Sequence, residues 1–317
     1  MNGSPLDGFV AIVTGGGRGI GRAHCERLAA YGARVVVNDA GVSTAGEGTA
    51  ETPAEEVAAA IRAAGGEAVV HTGDVSRMTS GRELLERALD TWGRLDVVIA
   101  NAGFGRPRMS FNLDERDWDA VIGVHLKGTF AVAQPALQHW RALAKQSGAP
   151  VHGRLLTTST GLLLIGGAGQ SNYVAAKAGV LAFTEAVAQE MAPYGVTANV
   201  IMPGANTRLA QIGWRTAQSI ARDAEQGVEF DAHSPVHVAE LACYLASPAA
   251  QWVSGQTFQV SGGRIERVRT FDRAVVVERH DRGHTYDDLV DEIPRMFGAS
   301  PRRAEKPPTD WRKPGAT

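Results

Sequence analysis

Cysteine is nearly absent from this chain: only Cys25 and Cys243 occur in 317 residues. Each lies in an apolar helical pattern, which excludes a disulfide scaffold and reads as two buried packing residues. No Cys/His cluster has zinc-ligand spacing, so no metal site is expected. No apolar run reaches the ~18 residues of a membrane helix, and no signal-peptide pattern opens the sequence, so the expected location is the cytoplasm. An excess of one charge is missing as well. A formal net charge of −2 offers no basic surface for nucleic acid. Lysine is scarce, five residues against an arginine-rich background. What remains, with 44% hydrophobic residues, suits one α/β domain with a substantial core and an appendage.

The placement of one lysine carries information. Tyr173-Val-Ala-Ala-Lys177 sets a phenol and an ammonium one helical turn apart, on the same face. A free tyrosine titrates near pH ~10. A unit positive charge ~4 Å away, at an effective dielectric of ~20, favours the phenolate by roughly 4 kcal/mol, about three pK units. The pair is therefore expected to work as an acid–base catalyst near neutral pH.

The N-terminus supplies a partner for that chemistry. The apolar run 9–14 leads directly into Gly15-Gly-Gly17-Arg18-Gly19-Ile20-Gly21 and then into a helical pattern. Strand, glycine turn and helix form the context of a dinucleotide site. The turn admits positive φ and close approach of a pyrophosphate, and the helix N-terminus presents free amides. A second strand ends at Asp39, eighteen residues after Gly21. A carboxylate there accepts hydrogen bonds from ribose hydroxyls and repels a 2′-phosphate, which argues for NAD over NADP. Arg18 is the counter-signal, since a guanidinium in the loop could meet a 2′-phosphate or serve as a solvated charge.

Further strand-like runs lie at 67–71, 95–100, 154–159, 196–202 and 257–260. Helical patterns lie at 53–64, 80–92, 114–145, 171–192, 207–225 and 236–246. This alternation predicts an α/β fold: a parallel sheet of about seven strands with helices on both faces. Ligands in such sheets sit beyond the carboxyl ends of the strands. Asp74 follows the third strand, Asn101-Ala102-Gly103 the fourth, Ser159-Thr160 the fifth and Pro203-Gly204 the sixth. The domain is expected to span 1–263, with 264–317 an extension packed on it. That extension holds many arginines, an amphipathic helix near 286–297 and, at 301–317, the composition of a poorly ordered tail.

Taken together, the glycine turn, Gly73-Asp74-Val75, Asn101-Ala102-Gly103, Tyr173-Val-Ala-Ala-Lys177, Pro203-Gly204 and the closing 254–263 stretch resemble the short-chain dehydrogenase/reductase family over about residues 6–263. The resemblance implies a doubly wound Rossmann fold, usually in a homodimer or homotetramer. It implies that Asp74 and Val75 hold the adenine and that Asn101, Ala102 and Gly103 line the cofactor cleft. It also puts Pro203, Gly204 and Thr207 beside the nicotinamide. A narrower likeness, carried by residues 36–41, Val124-His125-Leu-Lys-Gly128 and Gly169-Gln-Ser-Asn-Tyr173, is to the D-3-hydroxyacyl-CoA dehydrogenase portion of multifunctional β-oxidation enzymes and to hydroxysteroid dehydrogenases.

Two positions depart from the family. Thr160 stands where the active-site serine is usual, with Ser159 just before it, and His125 stands where most members carry asparagine. The expected activity is hydride transfer between NAD and a secondary alcohol, an acyl-CoA or sterol-like small molecule. Tyr173 would move the proton and Lys177 would lower its pKa and bind the ribose. Thr160 or Ser159 would orient the substrate oxygen, with His125 bracing a relay water. Two alternatives stand beside this: an NADPH-dependent 3-oxoacyl reductase, and a catalytically silent dinucleotide sensor. The segment 205–234, with Leu209, Trp214 and Phe230, reads equally as a lid over an apolar ligand or as an ordinary connecting helix, and the helices at 114–145 and 171–192 as a subunit contact or as helices covered within one chain.

Overall fold

The computed structural model describes residues 4–48, 52–205, 231–278 and 284–296. Thr207, the expected helix at 207–225, the lid residues Leu209, Trp214 and Phe230, and the 301–317 tail lie outside the described residues.

The chain runs β1 (Val10–Thr14), α1 (Gly19–Ala30), β2 (Arg34–Asn38), α2 (Pro53–Ala63), β3 (Ala68–His71), α3 (Met78–Trp92) and β4 (Val97–Ala100). Then follow α4 (Glu115–Ile122), α5 (Gly128–Ser147), β5 (Gly153–Thr158), α6 (Leu162–Ile165), α7 (Ser171–Met191), β6 (Val196–Pro203), α8 (Pro235–Ala246), β7 (Thr257–Ser261) and β8 (Arg264–Val268). The strands form one sheet in the order β3-β2-β1-β4-β5-β6-β7-β8. Strands β1 to β7 pair in parallel.

Strands β1, β2 and β4 are dominated by Val, Ile and Ala because both faces are covered. Val10, Ile12, Val36 and Val98 point into a core with Leu84 of α3, Trp140 of α5 and Met191 of α7. Their neighbours Ala11, Val13, Val35, Val37 and Ile99 point into the opposite core, with Leu28 of α1, Ile61 of α2 and Leu245 of α8. Cys25 and Cys243 are free thiols buried in this second core.

Three details add to the expected architecture. The sheet has eight strands because Gly262 and Gly263 form a two-residue hairpin loop, with Gly262 at φ +56°. That turn sends the chain back antiparallel as β8. The first compact unit accordingly closes at Val268, and the second is Arg269–Thr317. Within the second unit, α9 (Tyr286–Met296) has no buried residue. Third, the helix expected at 114–145 is interrupted at Gly123–Lys127 by a π turn, which rotates His125 inward. Among the described residues no helix is long and apolar enough to cross a membrane.

Candidate active site

Strand order reverses at β1, with β2 on one side and β4 on the other, and the crevice opens at their carboxyl ends. Here lies a cleft of about 670 Å³. Gly15 and Gly19, at φ +63° and +54°, form its floor with Arg18 and Ile20, and α1 starts at Gly19. Its first amides therefore have no carbonyl partner within the helix and suit an anion. Gly17 and Gly21 act from behind the floor. A Cβ on Gly21 would strike the Gly15 carbonyl, and one on Gly17 would lie 2.8 Å from Asp39 Oδ2. The Gly17 amide donates to that same oxygen at 3.0 Å, and the Gly41 amide donates to Oδ1 at 2.9 Å. Arg18 Nη1 donates to the Val42 carbonyl at 3.4 Å.

Asp74 and Val75 line the cleft beyond β3, where Asp74 Oδ1 accepts the Ser76 amide at 2.9 Å. Beyond β4, Asn101 Nδ2 donates to the Thr14 carbonyl at 3.1 Å. The Thr14 hydroxyl accepts the amides of Asn101 at 3.0 Å and Ala102 at 3.1 Å, stitching the two strand ends together. Ala102 and Gly103 continue the wall, with Gly103 against the His125 ring. Pro203 and Gly204 end β6 outside this wall, where the Gly204 amide donates to Val260 O at 2.7 Å.

Helix α7 carries Tyr173 and Lys177 one turn apart. Lys177 Nζ lies 5.8 Å from the Tyr173 ring centroid and donates to the Thr158 carbonyl at 2.6 Å. The expected lowering of the phenol pKa is reversed by the protein's own surroundings. Burial pushes Tyr173 up to about 12, against the pull of a hydrogen bond from Thr160. Burial pushes Lys177 down to about 7. In each case the cause is lost hydration, which disfavours the charged form.

Thr160 is the hydroxyl at the phenol, and its Oγ1 also accepts the Leu162 amide at 3.3 Å. Ser159 is turned away. Its buried Oγ donates to the Lys177 carbonyl at 3.0 Å, since successive side chains leaving a strand point to opposite sides. His125 is fully buried, with Nε2 donating to the Phe104 carbonyl at 2.7 Å and its ring edge-on to Tyr173 at 5.0 Å. Burial pushes its pKa down to about 3, with the Lys177 charge adding to the effect and the Phe104 carbonyl opposing it. Burial thus favours the neutral ring.

Sequence reading passed over the frame behind Tyr173. Buried Asn172 donates from Nδ2 to the carbonyls of Arg106 and Asp117, both at 3.3 Å, while its Oδ1 accepts the Tyr173 amide at 2.8 Å. An asparagine in the first turn of the helix, next to the tyrosine, was the available signal.

A doubly wound sheet with a glycine-floored cleft and a Thr–Tyr–Lys group beside it defines a nicotinamide-dinucleotide oxidoreductase. The family model for short chain dehydrogenase matches residues 9–212, and the chain belongs to that family. It is 44% identical over 268 residues to the hydroxyacyl-CoA dehydrogenase ChsB1 of Mycobacterium tuberculosis, covering 84% of this chain and 81% of that protein. It is 34% identical to the peroxisomal multifunctional enzyme type 2 of Mus musculus, spanning 96% of this chain but only 39% of that one. A crystal structure of a short chain dehydrogenase from Mycobacterium avium matches with a TM-score of 0.79 and 39% identity, covering 93% of this chain and 96% of the other. A Burkholderia cenocepacia short chain dehydrogenase in complex with NADP matches with a TM-score of 0.68 and 28% identity, covering 82% and 98%.

Proposed function

We propose that the protein interconverts a secondary alcohol and its ketone on a 3-hydroxyacyl-CoA or hydroxysteroid-like substrate, with NAD as cofactor. The observation that carries this reading is Lys177 Nζ 5.8 Å from the Tyr173 ring centroid, one helical turn away, with Thr160 just past the end of β5 and a cleft whose β2 end carries Asp39. NAD, when bound, supplies the hydride acceptor. Tyr173 Oη takes the hydroxyl proton in oxidation and returns it in reduction. The Thr160 hydroxyl orients the substrate oxygen and steadies its developing charge. Ser159 has no such part, because its hydroxyl is held by the Lys177 carbonyl.

Lys177, pushed down to about 7, carries its charge in part at neutral pH and favours the phenolate when charged. His125 holds the Phe104 segment and the edge of the Tyr173 ring. Asp39 meets the ribose hydroxyls, and Arg18, bonded to Val42 O, supports the loop. The likeness to a hydroxyacyl-CoA dehydrogenase supports the substrate class. Exposed Phe130 of α5, edge-on to Phe183 of α7 at 6.2 Å, supports a homodimer or homotetramer contact on that face.

A second reading, an NADPH-linked 3-oxoacyl reductase, is favoured by the protonated phenol, an acid suited to ketone reduction. The 37% identity over 263 residues to a 3-oxoacyl-[acyl-carrier-protein] reductase of Synechocystis points the same way. Reduced-nicotinamide absorbance separates the two readings. The assays pair NAD with 3-hydroxyacyl-CoAs and hydroxysteroids, and NADPH with 3-oxoacyl thioesters. Turnover confined to NADPH would overturn the first reading.

A further inference from the structure

The stretch after β2 is a built flap. Val42 pairs with Gly48 in an antiparallel bridge, and Ser43 Oγ accepts the amides of Ala45 at 3.3 Å and Glu47 at 3.2 Å. Val42, Ser43, Thr44 and Gly46 form one wall of the cofactor cleft. The segment after β4 holds that wall from the other side. The Gly105 amide donates to Thr44 O at 3.0 Å, and Arg106 Nε donates to Ala45 O at 3.0 Å. The Phe104 ring sits so close to Gly46 that a Cβ there would come within 2.8 Å of it.

Arg106 reaches in two directions at once. Its Nη1 donates to Asp117 Oδ1 at 2.9 Å, while Arg108 Nε holds Asp117 Oδ2 at 2.8 Å. Asp117 is buried on α4, and the Arg108 hydrogen bond, then Arg106, holds its carboxyl below the usual carboxylate range. The Arg106 carbonyl accepts Asn172 Nδ2, and Asn172 in turn receives the Tyr173 amide. A planar guanidinium with donors on several sides can join these elements, whereas an ammonium acts from one point.

We propose that Arg106 is a positioning residue that clamps the 42–48 flap over the cofactor cleft and ties it to the frame holding Tyr173. A dinucleotide leaves this cleft by parting the flap from residues 104–106, so these contacts set its release rate. The inference rests on a dinucleotide binding in the cleft and is independent of the substrate.

The test is stopped-flow displacement of NADH from the full chain, with NADPH run in parallel. Arg106→Leu releases cofactor about tenfold faster, in line with loss of a charge-assisted hydrogen bond. Gly46→Ala does the same by a different route, since Gly46 stands at φ +81° and the new methyl drives the flap off Phe104. That variant leaves the Asp117 ion pairs intact, so it reads the flap even if Arg106→Leu folds poorly. The double variant is no faster than the faster single one, because one flap is freed only once.

Arg106→Lys keeps a charge beside Asp117 but cannot also hold Ala45, so release stays fast. A wild-type rate in that variant would overturn the clamp. So would an equal acceleration in Arg108→Leu, which breaks only the second ion pair to Asp117. A protein that holds NADPH and not NADH would overturn the NAD preference, with the clamp still read on NADPH.

Discussion

The two ends of the cofactor cleft are made of different material. At the β1–α1 end the surface is main chain, with Gly15 and Gly19 in left-handed conformations and helix amides left open. Beside the other end, behind Gly103, the material is side chain, with Thr160, Lys177 and His125 buried and Tyr173 half-buried among them. Main-chain donors keep their polarity whatever surrounds them. The side-chain end depends on its surroundings, and burial there separates a phenol pushed up to about 12 from an amine pushed down to about 7.

The largest expected effect falls on the side-chain end alone. Tyr173→Phe lowers turnover by roughly 10³-fold, the scale of a lost general acid–base, while NADH affinity by fluorescence titration stays level. An unchanged kcat would remove Tyr173 from the chemistry. Next, Thr160→Val lowers kcat by about 10²-fold, whereas Thr160→Ser stays within about threefold, because only the hydroxyl is needed. Equal losses in both variants would point to packing.

The pH profile sharpens the contrast. Oxidation needs the deprotonated phenol, so its rate rises with pH across the alkaline range toward about 12. Reduction uses the protonated form and falls only as that value is approached. An oxidation rate already level at neutral pH would show that burial does not set the phenol.

The smallest effect belongs to the main-chain end. Asp39→Asn shifts the NAD to NADPH preference by about tenfold in kcat/KM, through loss of one repelling charge. An unaltered ratio would move the discrimination elsewhere.

The same contrast explains what was legible in the sequence. Glycines at Gly15, Gly19 and Gly21 announce a backbone shape, and apolar runs with both faces covered announce parallel strands. Tyr173 and Lys177 could be paired by spacing. Their charge states could not, because their surroundings, which include Thr158, Thr160 and His125, come together only in the fold. Ser159 and Thr160 are adjacent letters, and only the course of the chain after β5 decides which faces the phenol. The π turn at Gly123–Lys127 had no signal in an otherwise continuous helical pattern. Arg106 and Asn172 lie 66 positions apart, and their bond exists only once α4 and α7 come together.

The Gly262–Gly263 turn has a consequence beyond strand count. Without β8, the outer margin of β7 would present a bare ladder of amides and carbonyls along Phe258 and Val260, an invitation to pair with any extended peptide. Folding back Arg264–Val268 seals that seam and puts Arg264, Glu266 and Arg267 on the new border. A chain ending at Gly263 would keep its chemistry intact and become prone to clumping.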